Sequence, residues 1–187
     1  MSSRLHMQGT SSASETNHGQ YLSFQMAGET YAIHILSIRE IMEYEHLTRV
    51  PLIPDFIRGV MNLRGSVVPV IDLAVRFGQP PTAIDRRTCI IIVSVQDEVE
   101  GNPQLIGVLV DAVHEVLSID PETIEPPPPF GSRVRTDFIT GMARMDNHFT
   151  ILLDVERVLS LEEITLLASL DTSASAGDPS AAPHAAP

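Results

Sequence analysis

The chain has 187 residues, is 43% hydrophobic and carries a formal net charge of −12. This length and composition suit one domain or two small lobes with a real core. The negative charge argues against nucleic acid and anionic membrane as partners. All twelve basic residues are arginines, so neither a P-loop lysine nor a Schiff-base lysine is available. With no long apolar run and no secretory leader, we expect a cytoplasmic protein without direct membrane insertion.

Both ends of the chain are low in complexity. Residues 1–19 are rich in Ser, Thr, Gln and Gly and begin like an expression scar, and residues 171–187 are mainly Ala, Pro, Ser and Gly. Neither end can bury enough apolar surface to offset chain entropy, so we expect two disordered tails. The ordered part is predicted over residues 20–170. A capping box indicates that it closes with a helix over about 161–170.

The first predicted elements are strands. Residues 21–26 and 30–35 alternate apolar and polar side chains on either side of a turn at 27–29, which predicts a β-hairpin. A later strand is predicted over residues 67–71. Asp72 follows it directly and is placed to cap a short helix.

The second half of the chain predicts matching elements. Residues 89–95 form a continuous β-branched run that is typical of a strand buried on both faces. Residues 105–110 are its expected partner. Residues 149–153 predict another late strand, and Asp154 follows it as Asp72 follows the first.

The two halves correspond because the chain repeats itself. The pattern of residues 56–73 recurs at 138–155 with a constant spacing of 82, and that of residues 32–41 recurs at 107–116 with a spacing of 75. One architecture is therefore built twice. About five strands per copy suit two small β-barrels, because closing a sheet removes its exposed edges. We expect a first lobe over about 20–85 and a second over about 86–158.

The copies differ at the turn before the last strand, which reads Asn62-Leu63-Arg64-Gly65 in the first copy and Arg144-Met145-Asp146-Asn147 in the second. A shared scaffold with an unshared turn suggests recognition rather than folding. Leu63 and Arg64 are expected to project from the turn, and an apolar residue beside a guanidinium is a common interface pairing. A tight turn with a solvated arginine explains the same pattern equally well.

A second candidate surface lies upstream of this turn. Ile35, Ile38 and Ile41 form a small apolar stripe, which on residue pattern alone is more typical of a core than of an interface. Glu40 lies within it and recurs as Glu115. A solvent-facing scaffold position explains this pair better than acid catalysis does.

Signals for catalysis are weak. The seven histidines show no metal-ligand spacing, and no nucleophile or dinucleotide motif is present. Asp72 and Asp154 form either a carboxylate pair for acid–base chemistry or two equivalent helix caps, and we favour the caps. Cys89 is the only cysteine and is expected to be a buried small hydrophobe. We therefore predict no catalytic residue, no metal and no cofactor.

At these motifs the chain resembles the CheW family of bacterial chemotaxis coupling proteins. The resemblance covers residues 20 to about 167 and is most specific at the Asn62-Leu63-Arg64-Gly65 block. It implies a mainly β fold of two SH3-like five-stranded barrel subdomains, with short helices and a C-terminal helix, and no enzymatic activity. Other matching residues are 31–33, 38–41, 49–51, 56–59, 69–73, Gly141 and 152–154.

The resemblance also implies partners and sites. Family members link the cytoplasmic tips of methyl-accepting chemoreceptors to the regulatory domain of a CheA-type histidine kinase, in arrays at the membrane. By position, the expected receptor-binding residues are Ile38, Glu40, Ile41, Asn62, Leu63 and Arg64. The expected kinase-binding residues are Tyr44, Leu47 and Val50 in the first lobe and Phe130 in the second.

Two other functions are possible from the residues. A small-molecule-binding β-barrel would need a roomy interior, whereas the predicted strand faces are filled with Ile, Val and Leu. An unrecognised hydrolase would have to use Asp72, Asp154 or His148. We rank both below the adaptor.

Overall fold

Two β-sheets make up most of the computed structural model, which describes residues 19–96, 101–128 and 135–160. The mainly β fold is confirmed. The strands are β1 (Gln20–Met26), β2 (Glu29–His34), β3 (Ile38–Glu43), β4 (Ile57–Leu63), β5 (Ser66–Asp72), β6 (Cys89–Gln96), β7 (Pro103–Val110), β8 (Ala112–Ser118), β9 (Ile124–Glu125), β10 (Ile139–Met145) and β11 (His148–Leu153). Two one-turn helices are α1 (Leu73–Arg76) and α2 (Val155–Val158). Short 3-10 turns occupy Ile35–Ser37, Pro121–Thr123 and Thr136–Phe138.

The predicted hairpins are confirmed by strand register. β1 pairs with β2 around a turn in which Ala27 and Gly28 both have positive φ, 50° and 83°. β6 pairs with β7 along its whole length. Several predictions concern residues outside those described. They are the tail over 1–19 except its last residue, the tail over 171–187, the helix over about 161–170 and the contact at Phe130.

The two repeats exchange their hairpins. One sheet has the order β3-β6-β7-β5-β4 and the other has the order β8-β1-β2-β11-β10-β9. By the repeat spacing, β6 and β7 of the second copy correspond to β1 and β2 of the first. Each sheet therefore contains the first hairpin of one copy and the remaining strands of the other. The expected lobe boundary near residue 85 is corrected accordingly, since it separates β6 and β7 from the sheet they belong to.

Each sheet closes into a barrel at its outer strands. After β3 the chain runs back to the opposite edge, where the backbone N–H groups of Thr48 and Val60 each donate to the other residue's carbonyl at 2.9 Å. After β8 the short strand β9 pairs with β10 in the same way. We call the sheet with β3 to β7 the first barrel and the other sheet the second barrel.

Three apolar clusters hold the barrels together. The first barrel is filled by residues such as Met61, Val70 and Leu109, and the second by a smaller set around Leu152. The largest cluster lies between the two sheets. Successive residues of β6 point alternately into the first barrel and into the space between the sheets, and the strand is buried on both sides as its β-branched run predicts: Ile90, Ile91, Ile92 and Val93.

The repeat extends to individual hydrogen bonds. The Asp72 N–H donates to the Phe56 carbonyl at 2.7 Å, and the Asp154 N–H donates to the Phe138 carbonyl at 2.9 Å. Arg76 joins the copies at this point. Its guanidinium lies 5.1 Å from the centre of the Phe56 ring and 5.3 Å from that of Phe138. The equivalent ends of the copies therefore pack around one cation.

Candidate functional site

The turn between β4 and β5 has a fixed shape. Arg64 and Gly65 have positive φ values of 51° and 90°, as a two-residue hairpin turn requires. The Asn62 Oδ1 atom accepts a hydrogen bond from the Gly65 N–H at 2.8 Å, which holds the loop closed. Leu63 is half-buried and packs against the core of the first barrel. The prediction that Leu63 and Arg64 both project is therefore corrected: Leu63 faces inward because it shares the inward face of β4 with Met61.

Arg64 links the turn to β3. Its Nη2 atom lies 3.1 Å from Glu40 Oε1 and 3.0 Å from Oε2, while its side chain stays 79% exposed. β3 and β4 stand at opposite ends of the strand order, so barrel closure brings these two motifs together. The ion pair forms a charged cluster at one end of the first barrel.

A β-bulge arranges the apolar residues of β3. Ile38 lies opposite Val93 and Ile41 lies opposite Ile91, with the register shifted between Ile38 and Glu40. The bulge puts Ile38 and Ile41 on one face although they are three residues apart in a strand. Ile38 packs against the cluster between the sheets, whereas Ile41 is 44% exposed. The stripe thus contains both core and surface positions.

An exposed residue that the sequence did not single out adjoins the turn. Val67 lies opposite Asn62 in the β4–β5 hairpin and is 72% exposed. It belongs to the apolar run of residues 67–71, which we assigned to a late strand. Alternation with the buried Val68 is the signal that distinguishes its outward face.

The residues expected at the kinase contact of the first lobe differ in how far they are buried. Val50 is exposed and lines an open depression of about 500 Å³ together with Arg49 and Ile53. Tyr44 is half-buried against the core of the first barrel. Leu47 is only 6% exposed and belongs to that core. Since the Thr48–Val60 bridge closes the barrel next to it, Leu47 packs inward and is removed from the contact set.

Both candidate catalytic aspartates act as helix caps. Asp72 is fully buried, and its carboxylate accepts from the Ala74 N–H at 3.1 Å and from the Thr82 N–H and hydroxyl at 2.9 Å each. Arg58 Nη1 lies 3.4 Å from the same carboxylate. Asp154 caps α2 through the N–H groups of Glu156 and Arg157. The caps are confirmed, and Asp72 additionally fixes the segment after α1.

The described residues contain no group of three His, Cys, Asp or Glu side chains placed to hold a metal ion. Within the same residues, no helix has the length and apolar character that crossing a membrane requires.

Comparison with known proteins agrees with these features. The family model described as CheW-like domain matches residues 20–163. The chemotaxis protein CheW of Klebsiella aerogenes is 39% identical over 155 residues, covering 83% of this chain and 90% of the relative. The chemotaxis protein CheW of Bacillus subtilis is 34% identical over 140 residues, covering 74% and 85%.

A solved structure has the same fold. The crystal structure of the scaffolding protein TtCheW from Thermoanaerobacter tengcongensis superposes with a TM-score of 0.67 at 37% identity, covering 75% of this chain and 86% of that one. The chain therefore belongs to the CheW family of chemotaxis scaffold proteins, and it is an adaptor rather than an enzyme.

Proposed function

We propose that this protein couples the cytoplasmic tips of chemoreceptors to the regulatory domain of a CheA-type histidine kinase in membrane-associated arrays. The observation that carries the proposal is the Arg64–Glu40 pair, which joins the family's most specific motif to β3 at one end of the first barrel. Family membership supplies the class of partner.

The receptor side is proposed at Ile41 and the ion pair. An amphipathic helical hairpin presents apolar residues flanked by charged ones, and Ile41 supplies exposed apolar area for them. The guanidinium of Arg64 has donors beyond those that Glu40 occupies, so it remains able to bind a receptor carboxylate. Ile38 and Leu63 pack against the core and support this surface from below. Asn62 is exposed and stays a candidate receptor contact.

The kinase side is proposed at separate places on the barrels. Val50 and the half-buried Tyr44 are the candidate contacts in the first barrel. Phe130 remains the candidate in the second half of the chain. The depression lined by Val50 shares no residue with Ile41 or the Arg64–Glu40 pair, so one molecule of the adaptor can hold both partners. Signalling then requires contacts that differ between receptor states.

The direct test is a binding assay with purified partners, preceded by a pull-down in a lysate of the source cells. Recovery of a histidine kinase together with chemoreceptors is the expected result. If neither is recovered, and the purified kinase regulatory domain also fails to bind at tens of micromolar, the adaptor function is wrong while the fold stands.

Replacing Arg64 by alanine should weaken receptor binding by about tenfold or more, because it removes the exposed guanidinium. Kinase binding should stay unchanged. The melting temperature should change little, since an exposed ion pair contributes about 0–1 kcal/mol. Calorimetric titration with a receptor cytoplasmic fragment and with the kinase domain measures the two affinities, and a thermal unfolding scan measures the melting temperature.

A matched control for Arg64→Ala is Arg87→Ala. Arg87 is also exposed and also pairs with a nearby carboxylate, Asp85, at 3.6 Å. It should bind both partners as the unchanged protein does. Equal losses for receptor and kinase in Arg64→Ala would show that the turn has a structural role only.

A further inference from the structure

The second barrel is open at one end. An open pocket of about 270 Å³ occupies this end, and Glu115 and Asp146 are among its lining residues. By the repeat spacings of 75 and 82, Glu115 stands at the position of Glu40, and Asp146 stands at that of Arg64. The pocket is thus the counterpart of the proposed receptor surface, with a carboxylate in place of the guanidinium.

The pocket has space inside because its inward-facing residues are smaller than their equivalents in the first barrel. Three positions that are apolar in the first barrel carry short hydroxyl side chains in the second. Strand register makes Ser23, Thr30 and Thr150 the equivalents of Ile92, Leu105 and Val68. All three hydroxyl residues line the pocket. The small-molecule alternative requires a roomy interior, and this end of the second barrel supplies such a space.

Thr150 indicates that the pocket is built to receive a polar group. It is fully buried, and within the described part of the chain its Oγ1 atom has no hydrogen-bond partner. Ser23, by contrast, is satisfied by the backbone of Glu115, donating to its carbonyl at 2.8 Å. A buried hydroxyl without a partner is unfavourable, and a ligand with hydrogen-bond donors in the pocket removes that cost.

The charge of the pocket selects the ligand. In the first barrel Glu40 is paired with Arg64 Nη2 at 3.0 Å. In the second, no basic side chain among the described residues forms an ion pair with Glu115 or Asp146. His114 and His148 also line the pocket, as do Leu117 and Met145. Two carboxylates with apolar side chains beside them suit a flat cation that presents several donors.

We propose that this pocket binds a guanidinium group, in the place that the side chain of Arg64 takes at the first barrel. The group would pair with Glu115 and Asp146 and donate to Thr150. Its source is either a free guanidinium-bearing molecule or an arginine side chain of a partner protein, and both present the same chemistry.

In the test, N-acetyl-L-arginine amide is titrated as the probe into the full chain, and NMR detects its binding. N-acetyl-L-citrulline amide, which is neutral and nearly the same shape, is the control ligand. We expect saturable shifts at the amides of Ser23 and Thr150 with the arginine probe and not with the citrulline probe. No saturable shift, or equal shifts with both probes, overturns the proposal.

Two variants sharpen this test. Asp146→Arg rebuilds the ion pair of the first barrel internally, and the backbone accepts it because Asp146 and Arg64 have similar φ values of 45° and 51°. It should fold normally and lose at least about tenfold in probe affinity. Glu115→Gln should also weaken binding. Undiminished probe binding in both folded variants contradicts the site.

The same variants identify the source of the guanidinium. If a partner supplies it, Asp146→Arg also weakens binding of the receptor fragment or of the kinase domain. If a small molecule supplies it, probe binding is lost while both partners bind normally. Because Arg64 lies on the other barrel, failure of the guanidinium site leaves the proposed coupling function intact.

Discussion

Alanine at Gly59 should destabilise the protein by about 2–4 kcal/mol, combining a strained backbone with overpacking. Gly59 has a φ of +150°, and a Cβ atom there would lie 2.5 Å from the Thr48 carbonyl oxygen and 3.2 Å from Leu47 Cβ. The oxygen belongs to the backbone bridge that closes the first barrel, so it cannot move aside without breaking that closure. Urea denaturation followed by circular dichroism measures the loss.

Gly65→Ala is the matched control for Gly59→Ala. Its φ is also positive, at +90°, but no atom lies within 4 Å of an added Cβ. The variant should therefore lose only the cost of placing alanine at a positive φ, which is about 1–2 kcal/mol. If the two variants lose the same free energy of unfolding, the close contact with the Thr48 carbonyl adds no cost. Other contacts would then close the barrel.

Removing the Asp72 carboxylate should cost about 3–5 kcal/mol, because its buried partners lose their acceptor. The Asp72→Ala change leaves the Thr82 N–H and hydroxyl without their bonds of 2.9 Å. It also removes the carboxylate that Arg58 Nη1 faces at 3.4 Å. The same urea experiment measures this loss, and the melting temperature should fall in parallel.

The internal repeat provides the control for Asp72. Asp154 caps the equivalent helix, but its ion-pair partner Arg157 is 67% exposed. Asp154→Ala should therefore cost about 1 kcal/mol, the usual value of an N-cap. Similar losses in the two variants would mean that the contacts to Thr82 and Arg58 contribute nothing beyond capping.

Local patterns predicted most of the elements. The hairpins, the doubly buried strand β6 and the caps at Asp72 and Asp154 all depend on residues within a few positions of each other. Alternation, β-branched runs and capping carboxylates are sufficient signals at that range. The proposed receptor surface came instead from the family resemblance, which is carried by two short motifs, and it stays a prediction.

The errors concern which way a side chain points and which strand pairs with which. Leu63 and Leu47 were expected at the surface, yet both pack against the core of the first barrel. Leu47 lies in no strand of the described sheets, so only the Thr48–Val60 bridge shows that it faces inward. The bulge in β3, which places Ile38 and Ile41 on one face, has no glycine or proline to mark it in the sequence.

The amino-acid sequence by itself determined the two hairpins, the late strand of each copy, the caps, the repeat and the family, because each of these depends on local order or on direct comparison of residues. Only the tertiary structure decided that the two copies exchange hairpins and that Glu40 meets Arg64. Local order predicts each hairpin but not which of the two sheets it joins. The choice between them depends on long-range pairing and on the shared core, which no short segment contains.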